Sequence, residues 1–221
     1  MPPEPPGRFA DRFEAGRLLA ERVALLGPRE PVVLGLPRGG IPIAGEIAAR
    51  LGVSAEAFVA RKIGAPGYPE YGLAAIAEGL DEVVPGPQAA RLGFAGARLA
   101  ALAAAERVEL ERRVAAYRGD RPLPRLLGRE VVLADDGLAT GVTARAALRS
   151  LRRRSPSRLI FAAPVCAPES VRHLAESGLA DDVVYVLAPA DFEAVGEWYD
   201  DFAQLSDADV IRLLRPGDAQ D

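Results

Sequence analysis

The sequence predicts an α/β protein with a doubly wound, mostly parallel sheet flanked by helices, and three observations carry that prediction. Apolar runs without alternation recur at residues 32–36, 131–134, 159–163 and 183–187, as in strands covered on both faces. Stretches with helical spacing separate them. Glycine-rich turns follow two of the runs, at Gly39-Gly40 and from Gly137 to Gly141, where open α/β sheets form ligand crevices.

Taken in order, residues 9–26 have helical apolar spacing and end before Gly27-Pro28. Residues 32–36 form a buried strand, 37–40 a tight loop, and 43–51 a helix closed by Gly52. A second strand is expected over 55–60. Gly64, Pro66, Gly67, Pro69 and Gly72 then punctuate a stretch expected to be a mobile loop, followed by a short hairpin pairing 73–77 with 82–84. Residues 89–117 read as a long helix with Leu99, Leu102, Leu110, Val114 and Tyr117 on one side, a covering or dimer helix. Glu109 with Arg113 supports its exposed face, and Gly119 ends it. Residues 143–153 form a helix, another follows Pro168, and a last one is expected near 207–214. Arg8, Asp11 and Arg12 read as solvated caps, His173 as a surface residue and Cys166 as a small buried one.

Bulk properties narrow the function. The 221 residues suit a single domain, 1–221, with a core of about 30–187 and the remainder appended to it. A net charge of −4 with both signs mixed throughout gives no basic field for nucleic acid, so no nucleic-acid partner is expected. One cysteine excludes an internal disulfide, and one histidine leaves no convincing zinc site or Ser-His-Asp triad. The proline-rich, charged start is no signal segment and no run is long and apolar enough to span a bilayer; a cytoplasmic protein without a membrane partner is expected. Asparagine is absent and Cys and Met are scarce, which points to a thermophile. Lys62 is the one lysine among 27 basic residues, so a compact ammonium is expected to matter there.

The chemistry concentrates in VVLADDGLATGVT, residues 131–143. Asp135 and Asp136 end a buried strand, and the turn from Gly137 leads into a helix whose first N–H groups favour a phosphate. Adjacent residues at a strand end point to opposite sides, so one acid can face a ligand while the other orients water, a metal or a basic partner. Neither a P-loop nor a dinucleotide fingerprint is present. The stretch resembles the motif with which type I phosphoribosyltransferases bind 5-phosphoribosyl-1-pyrophosphate (PRPP). The resemblance implies that Asp135 and Asp136 hold the ribose with Mg2+ nearby. It also implies that Gly137, Leu138, Ala139, Thr140, Gly141 and Thr143 cradle the 5′-phosphate.

A second loop, VVLGLPRGGIP at 32–42, is similar to that family's pyrophosphate loop, which implies pyrophosphate contacts from Arg38, Gly39, Gly40 and Lys62. Arg38 contributes a permanent cation with bidentate reach. Residues 61–72 fall where the family carries its flexible catalytic loop. Arg61-Lys62-Ile63-Gly64, Pro66-Gly67, Glu70-Tyr71-Gly72 and Ala139-Thr140-Gly141 resemble adenine phosphoribosyltransferase in particular. Ala139 stands where hypoxanthine-guanine enzymes have an aspartate, so Glu70 becomes the candidate proton carrier, beside Lys62 and Arg38 as catalytic candidates. The loop is shorter than the adenine enzyme's, and no basic residue lies between Lys62 and Arg91, so further positive charge must come from elsewhere. The resemblance implies transfer of 5-phosphoribose from PRPP to a nitrogenous base, a purine among the candidates, with release of pyrophosphate. A homodimer and a C-terminal hood over 188–221 also follow from it, with Phe192 or Trp198 stacking on the base. The alternative is a non-catalytic PRPP or nucleotide sensor on the same fold.

Overall fold

The computed structural model describes residues 7–65 and 68–215, without the side chains of residues 68–71. Helix α1 (Arg12–Leu25) starts at Asp11, whose carboxylate accepts from the Glu14 N–H at 2.8 Å. β1 (Val32–Gly35) leads into α2 (Gly40–Leu51), which ends at Gly52 with a left-handed φ of 70°. β2 (Ala55–Ala57), β3 (Ala60–Ala65), β4 (Tyr68–Ala77) and β5 (Val84–Pro85) precede the long helix α3 (Gly96–Arg118). β6 (Glu130–Ala134), α4 (Val142–Arg152), β7 (Arg158–Val165), α5 (Pro168–Glu176) and β8 (Asp182–Leu187) follow. A 3-10 turn at Val195–Trp198 and helix α6 (Asp207–Leu213) complete the described chain.

Five strands form one parallel sheet in the order β2-β1-β6-β7-β8. The rung Val33, Val132, Ile160 packs under α1 and α2, with Phe9, Leu19, Ile43 and Ile47. The next rung, Leu34, Leu133, Phe161, packs against Leu148 and Leu151 of α4 on the opposite face. Successive side chains alternate faces, and both faces are apolar, which is why these strands read as runs rather than alternations. The strand order reverses between β1 and β6. A crevice opens at such a switch point, beyond the carboxyl ends of the strands, and the two glycine loops stand on either side of it.

The region between β2 and α3 differs from expectation. Residues 55–60 are not one strand: β2 belongs to the main sheet, while β3 pairs with β4 and β5 in a separate antiparallel sheet. The chain changes sheet at Phe58-Val59, where the Phe58 N–H still reaches Gly35 O at 2.9 Å but the Val59 N–H is taken by the Glu78 carboxylate at 2.8 Å. The expected mobile loop over 61–72 instead lies largely on the arms of an antiparallel hairpin. Its glycines mark shifts in strand register at Ile63/Gly64 and Gly64/Ala65, with Gly64 opposite Gly72. The hairpin tip, Pro66 and Gly67, lies outside the described residues.

The long helix starts at Gly96 rather than near residue 89, since Gly93 and Gly96 take positive φ values of 71° and 49°. Phe9 precedes α1 in extended form, donating its N–H to Trp198 O at 2.9 Å and so tying the start of the chain to the C-terminal segment. His173 is exposed and Cys166 fully buried, as expected; burial pushes the Cys166 thiol up. Among the described residues, no helix is long and apolar enough to cross a membrane.

Candidate active site at the switch point of the sheet

β1 and β6 are paired in register, Gly35 opposite Ala134, so their two loops begin side by side. The loop after β1 is pinned by Leu36 N–H to Ala134 O and Gly40 N–H to Leu36 O, both at 2.9 Å. Its glycines allow the loops to touch: a Cβ on Gly39 would sit 1.8 Å from Asp136 Oδ2, and one on Gly40 would sit 2.6 Å from Ala134 O. The turn after β6 closes at Gly141, whose left-handed φ of 70° begins α4. Helix geometry aims the first N–H groups of α4 into the crevice, whereas in α2 the Gly40 and Ile41 N–H groups donate to Leu36 O and Arg38 O and Pro42 has none.

Arg38, Gly39, Lys62, Asp135, Asp136 and Thr143 line one cleft of about 430 Å³, bringing together six residues singled out from two separate motifs and a strand. The Lys62 stem lies along Gly72, where a Cβ would come within 3.1 Å of Lys62 Cδ. Gly137 is partly buried beside the acids, while Ala139 and Thr140 are exposed at the loop tip, Ala139 O accepting from the Ser170 hydroxyl. Leu138 is buried, and its N–H is used within the protein, donated to Val165 O at 2.9 Å. The Gly40 N–H is likewise used within the loop. Glu70 belongs to β4, but its side chain lies outside the described residues.

The acids differ in their surroundings. Asp136 accepts from Arg12 Nε at 2.9 Å, and its backbone carbonyl accepts from the Tyr199 hydroxyl at 2.6 Å. Asp135 accepts from the Asp136 N–H at 2.9 Å, and the Arg12 charge acts on it as well. Burial raises the Asp135 carboxyl well above the usual carboxylate range, and the Asp136 charge adds to this. Burial also raises Asp136, against the pull of Arg12. Tyr199 is raised by burial, with the Asp136 charge adding to it, and stays a neutral donor.

Arg12 is no solvated cap. Its side chain is only 10% exposed, it donates to Ala203 O at 2.9 Å as well as to Asp136, and its guanidinium lies 3.9 Å from the Phe202 ring centre. A second compartment, of about 600 Å³, opens beyond Asp136. It is lined by Arg12, Arg38, Gly39, Arg61, Arg113, Asp136, Phe202, Gln204 and Leu205. Phe202, rather than Phe192 or Trp198, is the aromatic side chain at this compartment. Arg12, Arg61 and Arg113 are the positively charged residues that sequence reading missed at the crevice. For two of them a trace exists: Arg12 shares the buried stripe of Ala15, Gly16, Leu19 and Val23, and Arg113 falls between Leu110 and Tyr117 on that of α3.

The phosphoribosyl transferase domain family matches residues 12–186. Two Mycobacterium tuberculosis proteins, from strains CDC 1551 and H37Rv and both named for that family, are 40% identical over 211 residues. The match takes in 93% of this chain and 46% of each relative, so the chain spans about half the length of the curated relatives it matches. The solved structure of TT1426 from Thermus thermophilus is 46% identical, with a TM-score of 0.77 over 94% of this chain and 97% of that one. A Neisseria gonorrhoeae protein solved with bound ppGpp shares the fold alone, at 14% identity and a TM-score of 0.51, over 97% of both chains. Because the family match runs through both glycine loops and both acids at the switch point, this chain belongs to the family of phosphoribosyl transferase domains.

Proposed function

We propose that the cleft transfers a 5-phosphoribosyl group from PRPP to a nitrogenous base, releasing pyrophosphate. The observation that carries this reading is the convergence of Arg38, Gly39 and Lys62 with Asp135, Asp136 and Thr143 in a single cleft. Each half of PRPP meets matching chemistry there. Asp135 and Asp136 accept hydrogen bonds from the ribose hydroxyls, and the turn from Gly137 through Ala139, Thr140 and Gly141 to Thr143, with the first N–H groups of α4, takes the 5′-phosphate. Arg38, the Gly39-Gly40 loop and Lys62 take the pyrophosphate. As the bond to the anomeric carbon breaks, negative charge grows on the departing pyrophosphate, and these cations stabilise it.

Two adjacent, mostly buried carboxylates that share one arginine are short of positive charge, and that donor set fits a hard divalent cation. No group of three or more candidate metal ligands occurs among the described residues, so Asp135 and Asp136 would hold Mg2+ together with substrate oxygens. When bound, the ion would supply charge neutralisation at the pyrophosphate. Glu70 is assigned the proton that must leave or reach the base, and the loop's likeness to the adenine enzymes places purines among the acceptors to test. A homodimer belongs to the same proposal and is checked by light scattering.

The sensor reading rests on the scarcity of basic residues beyond Lys62 on the hairpin; Arg61 and Arg113 at the crevice weaken it. The deciding experiment follows pyrophosphate release from PRPP and Mg2+ with a panel of purines, pyrimidines and amines. Base-dependent release is expected. Tight PRPP binding by calorimetry without any release would leave a sensor. Unchanged PRPP affinity in the Asp135→Asn, Asp136→Asn double variant would overturn the site.

A further inference from the structure

The phosphate cleft and the second compartment share a wall made of Arg38, Gly39, Arg61, Arg113 and Asp136. In the second compartment, four guanidinium groups face one carboxylate, that of Asp136. The four side chains are mostly buried, with 10%, 26%, 22% and 15% exposure for Arg12, Arg38, Arg61 and Arg113. Arg12 is committed to Asp136, and the other three are partnered by carboxylates from outside the compartment. Arg61 holds one oxygen of Glu106, at 2.8 and 2.5 Å. Glu109 is shared between Arg113, at 2.8 Å, and Arg112, at 2.6 and 2.9 Å. Asp207 takes hydrogen bonds from Tyr117 and Arg112, both at 2.7 Å, and stands 3.8 Å from Arg38. Arg38, Arg61, Arg112 and Arg113 therefore share the three carboxylates Glu106, Glu109 and Asp207, none of which lines the second compartment.

We infer that the acceptor of this transferase carries its own negative charge: a nitrogen nucleophile bearing a carboxylate or a phosphate, whose oxyanion is held in the second compartment by Arg61 and Arg113. This rests on the phosphoribosyl transfer proposed above and names the substrate class of that site. A guanidinium binds a planar oxyanion through a pair of N–H groups, and such charge-assisted contacts strengthen in a partly desolvated site. A neutral base filling the same space would shield these groups from water without supplying a counter-charge. In the transfer, the lone pair of the acceptor nitrogen forms the new bond to the anomeric carbon. The bond from that carbon to the pyrophosphate oxygen breaks, and pyrophosphate leaves with the electron pair. A proton carried by the attacking nitrogen passes to solvent.

The test compares acceptor pairs that differ in the anionic group: nicotinate with nicotinamide, orotate with uracil, anthranilate with aniline, and phosphoethanolamine with ethanolamine, each with PRPP and Mg2+. For at least one pair, kcat/KM for the anionic member is expected to exceed that of the neutral one by about tenfold or more, the ratio that 1.4 kcal/mol of differential binding gives. The pairs that respond tell carboxylate from phosphate. In Arg61→Gln and Arg113→Gln the ratio is expected to fall toward one. Neutral members or adenine used as well as the acids would overturn the inference while leaving the transferase intact, as would an unchanged ratio in both variants. PRPP binding without release from any acceptor would overturn both. Should a variant fail to fold, the ratio in the unaltered protein decides.

Discussion

Arg12 Nε donates to Asp136 Oδ2 at 2.9 Å across 124 residues of sequence, while the same guanidinium rests on Phe202 and donates to Ala203 O. The first helix, the acid loop and the C-terminal segment thus meet on one cation. Arg12→Met would leave Asp136 mostly buried without its partner, a loss of about 3–5 kcal/mol by the usual cost of breaking a buried pair. A fall in Tm of roughly 2–4 °C per kcal/mol is expected in a chain of this size. A Tm equal to that of the unaltered protein would show that the pair is not the tie it resembles.

Gly39→Ala makes a sharper test of how the two loops depend on each other. The added Cβ would fall 1.8 Å from Asp136 Oδ2, so either the loop or the acid must move. Calorimetry should register a loss of PRPP affinity, with the circular dichroism of the folded protein retained. Gly45→Ala is the control: nothing lies within 4 Å of that Cβ, and alanine inside a helix adds about 0.5–1 kcal/mol of stability relative to glycine.

At the root of the hairpin that carries Lys62, Arg118 and Glu78 form an ion pair with side chains 6% and 8% exposed. Glu78 also accepts from the Val59 N–H at 2.8 Å, and Arg118 donates to Ala57 O at 2.9 Å. Arg118→Met removes one partner and is expected to cost about 3–5 kcal/mol, read from the urea midpoint. Replacing both residues with apolar ones should cost much less than this single change; equal losses would assign the effect to packing alone.

The seam between α3 and α6 is expected to weaken at both ends of the pH scale. Hydrogen bonds from Arg112 and Arg113 hold the Glu109 carboxyl down to about 2, and those from Tyr117 and Arg112 hold Asp207 below its ordinary range. Depressed carboxylates contribute stability that is complete above their unfolded values and is lost as pH falls through the folded ones, here from about 4 toward 2. Burial, then the Asp207 contact, pushes the Tyr117 hydroxyl up to about 12. Its contribution is complete below about 10 and is lost as pH rises toward 12. Denaturation midpoints across pH should show both limbs, and Tyr117→Phe should erase much of the alkaline one. A profile unchanged by that substitution would rule out Tyr117 as the titrating group.

Much of the frame could be read along the chain because local rules and burial agree there. The expected helix over 143–153 lies one residue from α4, and the apolar runs coincide with β1, β6, β7 and β8. The hairpin failed that reading for a physical reason. Glycine and proline interrupt propensity wherever they stand, and only the pairing of Gly64 with Gly72 shows that they serve a bulged ladder rather than a loop. Arg12 failed it because the charge of an arginine says polar while its long stem permits burial wherever an acid waits.

By itself, then, the sequence determined the parallel α/β sheet, the two glycine loops and the acids that end β6, because unalternating apolar runs, turn glycines and motif spacing are local properties of the chain. Only the tertiary structure decided which charges stand together. Arg12, Arg61 and Arg113 come from α1, β3 and α3, and their common place beside Asp136 follows from how these elements pack around the sheet, a relationship between distant segments that no local pattern encodes.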